Sequence, residues 1–127
     1  MKTEYVLDSS AWYEYLGGTL KGAKIRKIIE EQEVESSIIA IAELSDKCLR
    51  EARPFEDYLK FIQQRAAILP LTLHIASESG KLKKERRTTK PTFSLADGIH
   101  LATAIERKAI LVSADDDFEG LPNILLI

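Results

Sequence analysis

The chain has 127 residues, 45% of them hydrophobic and 30% charged, with a formal net charge of −2. That suits one compact domain with its own core and is too short for two, and no apolar run reaches the roughly 18 residues of a membrane span. The small net charge excludes a protein that coats nucleic acid by bulk attraction, though not a local basic patch. Met1 and Lys2 lead straight into a strand-like run, so no signal peptide is expected. Cys48 is the only cysteine; neither an internal disulfide nor a thiolate zinc site can form, and a reducing cytoplasm with Cys48 as a small core residue is the expected setting.

In chain order, a strand is predicted over Glu4–Leu7 and a helix over Ser10–Leu16, which Gly17 and Gly18 separate from a second helix over Leu20–Gln32. A short strand follows at Val34–Ser36, then helices over Ile38–Ala52 and Phe55–Ala67, with Pro54 suited to the first turn of the latter. The pattern continues with a strand at Ile68–Leu71, a helix over Leu73–Arg86 and an irregular loop at Thr88–Thr92. A helix over Leu95–Lys108 and strands at Ile110–Val112 and Ile124–Ile127 complete it. Short apolar strands alternating with long helical stretches describe an α/β fold around a largely parallel sheet, whose strand C-terminal ends line the ligand crevice.

Four acids stand where such a fold exposes those ends. Asp8 closes the run Tyr5-Val6-Leu7; it can cap the helix that follows, although Ser9 and Ser10 can do that as well and free it. Glu43 lies opposite an apolar stripe of Ile38, Ile41, Ala42, Cys48, Leu49 and Ala52, where it can pair with Lys47 on a solvated face. Asp97 shares a helix face with Leu101 and Ala104, while Ala96, His100, Thr103 and Arg107 form the polar side, so its carboxylate is aimed at apolar surroundings. Gly98 beside it suggests close approach of backbone or ligand. Asp115, Asp116 and Asp117 follow a strand directly, more acids than capping needs. Carboxylates gathered at one place repel unless a cation holds them, so convergence of these residues would describe a hard-metal site.

Taken together, Asp8-Ser9-Ser10-Ala11 after a strand, Ser37 with Glu43-Leu44, the helix from Leu95 to Ala104 and the segment from Ser113 to Phe118 resemble the PIN-domain family. Among its members they are most similar to the small VapC-type ribonuclease toxins of toxin–antitoxin pairs. The resemblance spans essentially the whole chain. It implies a single α/β/α sandwich with about five parallel strands in the order 3-2-1-4-5. It also implies Mg²⁺ or Mn²⁺ held by Asp8, Asp97, Asp115 and Asp117, with Glu43 as a ligand or as the group orienting the attacking water. Ser9 and Ser113 match small hydroxyl residues beside the site, where they are expected to contact substrate. Asp116 departs from relatives that often carry a basic or polar residue there. The implied reaction is hydrolysis of RNA to 5′-phosphate and 3′-hydroxyl ends, the implied partners a cognate antitoxin and a second copy of the chain.

Substrate contacts are expected from the basic run Lys81, Lys83, Lys84, Arg86, Arg87 and Lys90, against the plainer reading of a helix end favoured by its dipole. Trp12, Tyr13 and Tyr15 could stack on bases or simply fill the core. Neither His100 nor His74 suits a general base. Two rivals are a PIN-like module that binds RNA or protein without cleaving it and a receiver-type phosphoacceptor domain; the latter lacks its phosphoacceptor Asp and Lys around Ile68–Leu71.

Overall fold

A computed structural model describes residues 4–127. The elements run β1 (Glu4–Leu7), α1 (Ser9–Leu16), α2 (Leu20–Ala23), α3 (Arg26–Glu31), β2 (Glu33–Ser37), α4 (Ile38–Arg50), α5 (Phe55–Arg65) and β3 (Ala66–Leu69). They continue with α6 (Leu73–Arg86), α7 (Leu95–Arg107), β4 (Ile110–Ser113), a single 3-10 turn (Asp116–Phe118) and β5 (Ile124–Leu126). All five strands pair in parallel in the order β3-β2-β1-β4-β5. The first three crossovers carry α-helices, as parallel pairing usually demands, and the last, from β4 to β5, carries only the 3-10 turn.

Alternation along the strands separates two cores. Leu7 and Val112 face one side with Val34, where they meet Trp12, Ile25, Ile29, Leu44, Cys48, Tyr58 and Ile62 from α1 to α5. Val6 and Leu111 face the other, against Phe93, Leu101, Ala104 and Phe118. Helix α7 packs against the sheet on one side and α6 on the other, so it is buried without interruption from Asp97 to Ala104. His100 and Thr103 are each only 1% exposed. The middle of the polar side predicted for this helix is therefore interior, because it faces α4 and the sheet: His100 meets Glu43 of α4 and Arg107 reaches Glu35 of β2.

Other differences have similarly local causes. The helix predicted over Leu20–Gln32 is two short ones: Ile25 leaves helical geometry with ψ near 9°, and the bend brings Ile25 and Ile29 into the core. Gly22 sits at the crossing with α1, where a Cβ would lie 2.2 Å from the Glu14 carbonyl oxygen. Strand β3 begins at Ala66 and stops before Pro70, which has no N–H to give the ladder. The stripe that α4 buries is Ala40, Leu44 and Cys48 at i, i+4 spacing, while Ile38 and Leu49 are exposed. Trp12 is fully buried with its indole N–H on Ser36 Oγ at 3.1 Å, and Tyr13 is nearly so. The first two of the three aromatics near the first acid are thus core residues. Gly98 does mark a close backbone approach: a Cβ there would stand 2.5 Å from the Ser79 carbonyl oxygen of α6.

Candidate active site

The C-terminal edge of the central strands supplies the site. Asp8 follows β1 directly and is the N-cap of α1. Its Oδ1 accepts hydrogen bonds from the Ala11 N–H at 3.0 Å and Ser10 Oγ at 2.7 Å, and its Oδ2 accepts one from Ser113 Oγ at 2.5 Å. Ser9 and Ser10 do not relieve it of capping. Ser10 instead ties the neighbouring strand end to the site, taking the Ala114 N–H at 2.9 Å. Asp97 closes a capping box at the start of α7, accepting the Ser94 N–H at 2.9 Å while Ser94 Oγ accepts the Asp97 N–H. Asp115 caps the 3-10 turn by accepting the Asp117 N–H at 2.9 Å. Thr92 Oγ1 reaches both oxygens of Asp117, at 2.7 and 2.8 Å.

These bonds leave a converging set of oxygens. One carboxylate oxygen from each of Asp97, Asp115 and Asp117 lies within 4.8 Å of the other two. Asp8 stands outside this triplet as a fully bonded, buried neighbour. Burial raises the Asp8 carboxyl above its ordinary range, against the pull of His100 and of its hydrogen bonds. Burial also pushes Asp97 up to about 6; the charge of Asp115 adds to this, and bonds from Ser94 and the field of His100 oppose it. Glu35 makes the contrast plain. That buried carboxylate on β2 is neutralised by a two-pronged bond from Arg107 at 2.9 and 2.6 Å. Among the described residues, no Lys or Arg forms an ion pair with Asp8, Asp97, Asp115 or Asp117. An all-oxygen donor set to which no Lys or Arg is paired fits a hard divalent ion.

Glu43 reaches the same edge from α4. Its Oε1 accepts Ser9 Oγ at 3.2 Å and contacts His100 Nε2 at 2.5 Å, and its side chain is 36% exposed. Its neighbour Lys47 is engaged elsewhere, with Nζ 4.2 Å above the centre of the Tyr13 ring. The sequence does not reveal His100, because helical periodicity gives α7 a solvated side there. Yet its i+3 spacing from Asp97 already placed the two on adjoining positions of one helix surface.

Ser113, expected to face substrate, is wholly buried and supports Asp8 from beneath. Arg86 and Arg87 are also occupied: Arg86 donates Nε to the Asp117 carbonyl at 2.9 Å and Nη2 to that of Glu119, and Arg87 donates Nε to the Phe93 carbonyl at 2.8 Å. They hold the loops that carry Asp117 and Ser94. Lys83 is half-buried and Lys84 exposed. A groove of about 440 Å³ opens beside Asp115, lined by Ser10, Glu14, Lys21, Lys47, Ala114 and Asp116. It puts two further lysines close to the acids.

Comparison with known proteins agrees with this fold. Solved structures similar to the chain include a toxin–antitoxin complex from Klebsiella pneumoniae (TM-score 0.77, 20% identity, 95% of each chain covered). They also include VapBC2 from Rickettsia felis bound to a DNA fragment from its promoter (TM-score 0.72, 19% identity, 98% of each chain). A third is Mycobacterium tuberculosis VapC20, described as a sarcin-ricin loop cleaving toxin (TM-score 0.70, 12% identity, 94% of this chain and 95% of that one). At these identities the likeness is one of fold. No curated protein matches the sequence. The family model for the PIN domain matches residues 5–123, from the first strand to the approach of the last, and on that span the chain belongs to the PIN-domain family.

Proposed function

We propose that this protein is a metal-dependent ribonuclease and the toxin of a toxin–antitoxin pair. The observation that carries the reading is the meeting of Asp97, Asp115 and Asp117, with Asp8 and Glu43 beside them and no Lys or Arg ion-paired to the four aspartates among the described residues. Asp97, Asp115 and Asp117 would hold Mg²⁺ or Mn²⁺, and Asp8 would contribute its charge or a ligand from below. Bound there, the ion supplies Lewis-acid polarisation of the phosphoryl oxygen and neutralises developing charge.

The chain's own groups provide the rest. Glu43 orients the attacking water and accepts its proton on the carboxylate. The water oxygen bonds to phosphorus as the bond to the 3′-oxygen breaks, and a proton returns to that oxygen, leaving 5′-phosphate and 3′-hydroxyl ends. Lys83 and Lys84, with Lys21 and Lys47 in the groove, hold the flanking phosphates against the field of the acids. Ser9 steadies Glu43. The toxin role draws support from the toxin–antitoxin complexes that share the fold. By that reading the protein works in the cytoplasm, has an antitoxin and pairs with a second copy of itself. No helix among the described residues is long and apolar enough to cross a membrane.

The test is incubation of purified protein with structured and single-stranded RNA in Mn²⁺ and in EDTA, with the ends of the products mapped. Cleavage that needs Mn²⁺, leaves 5′-phosphates and disappears in Asp115→Asn is expected. Binding of RNA without any cleavage would support the non-catalytic module instead.

A further inference from the structure

We propose that His100 is a positioning residue that fixes which oxygen of Glu43 faces the reaction. This rests on the reading of Glu43 as the group that orients the attacking water. Both side-chain contacts to Glu43 fall on the same atom: Ser9 Oγ and His100 Nε2 meet Oε1 at 3.2 and 2.5 Å. Among the described residues nothing bonds to Oε2. An ionised carboxylate only accepts, so the geometry puts the proton of the imidazole on Nε2. With Oε1 pinned from two sides, the carboxylate cannot rotate freely, and Oε2 is the oxygen left to the ion or the water.

The cost of keeping a histidine here argues that the bond at Nε2 is its purpose. The side chain is 1% exposed, and Nδ1 is buried with no hydrogen-bond partner among the described residues. An aliphatic side chain of similar size would fill the interior without stranding a polar atom, so packing alone favours replacement. Groups that orient a ligand or catalytic carboxylate from behind typically cost 10–100-fold in metal affinity or activity when removed.

Three variants separate positioning from packing. His100→Leu removes the donor and the stranded atom together, His100→Gln carries an amide N–H as far as the Nε2 position, and His100→Asn stops at the level of Nδ1. His100→Leu should unfold no more easily than the parent in EDTA, yet lose about 10–100-fold in kcat with little change in KM. Gln should recover most of that loss and Asn should not. Adding Glu43→Gln to His100→Leu should cost little more, because the two act as one unit. The same pattern should appear in Mn²⁺ affinity measured by calorimetry without RNA. If the parent protein binds Mn²⁺ but cuts no RNA, the ribonuclease reading falls and the Mn²⁺ cycle alone decides this one. Losses in the calorimetric cycle that multiply, or His100→Leu matching the parent in Mn²⁺ affinity, would overturn it. Should His100→Leu fail to fold, equal Mn²⁺ affinity of the Gln and Asn variants would do the same.

Discussion

Asp97→Asn should make the metal-free protein more stable at neutral pH while removing its function. The carboxyl is pushed from 3.8 to about 6, first by burial and then by the charge of Asp115. A raised carboxyl binds its proton more tightly in the folded state. Below about pH 4 both states keep the proton and nothing is lost; as pH climbs towards 6 the native state must ionise a group it holds poorly, and above that the penalty is constant. At about 1.4 kcal/mol per unit the ceiling is roughly 3 kcal/mol. Solvent reaching part of the carboxyl and screening by salt bring it to about 1–2 kcal/mol. Asn is nearly isosteric and can still accept the Ser94 N–H, so the capping box survives in part. Thermal melts by circular dichroism in EDTA at fixed ionic strength should show the variant melting roughly 3–8 °C above the parent at pH 7, with the gap closing towards pH 4. Millimolar Mn²⁺ should reverse the order, since a ligand at a hundredfold excess over Kd adds about 2.7 kcal/mol to the parent alone. A variant that melts no higher than the parent at pH 7, or one whose advantage is unchanged at pH 4, would refute the burial of an uncompensated charge.

Asp115→Asn and Asp117→Asn are each expected to suppress stabilisation by Mn²⁺ and abolish RNA cleavage, whereas exposed Asp116→Ala should leave both near the parent level; parallel melts and cleavage assays check this. Gly98→Ala forces a methyl against the Ser79 carbonyl, and urea unfolding should record a loss of about 1–3 kcal/mol despite the better helix propensity of Ala. Replacing Lys83 and Lys84 by Gln should flatten the salt dependence of binding to single-stranded RNA by about 0.7 per lost phosphate contact. Arg86→Gln should instead lower stability and weaken Mn²⁺ binding, because it frees the main chain at Asp117 and Glu119; an unaltered metal titration would count against that role.

The strand order and the site's acids were legible because they depend on features that one dimension retains. A short apolar run ending in Asp8 or Ser113 marks a strand end wherever the helices lie, and Asp97 betrays itself by its apolar company. What stayed hidden depends on which surface a second layer covers. Periodicity gives α7 a wet side around His100, but that side faces the sheet and α4, so the histidine is buried. The stripe of α4 misleads for a related reason: Ile38 and Leu49 look like core residues, yet the smaller Ala40 and Cys48 are the ones that are buried. Basic residues are harder still, since Arg86 and Arg87 sit in the same run as Lys83 and Lys84 and differ only in having carbonyls within reach. No local pattern tells a guanidinium that ties loops from an ammonium that waits for phosphate.

Two of the acids double as the first bonds of a helical turn: Asp8 starts α1 and Asp115 starts the 3-10 turn. Asn caps a helix about as well as Asp, whereas Ala does not. An Asp codon becomes an Asn codon by one G-to-A change. A folded sister protein with the same outer surface and no metal chemistry is therefore a single base substitution away at either position. On the proposed toxin reading, such a chain keeps the surface that an antitoxin would cover, and selection would meet it long before it met an empty frame.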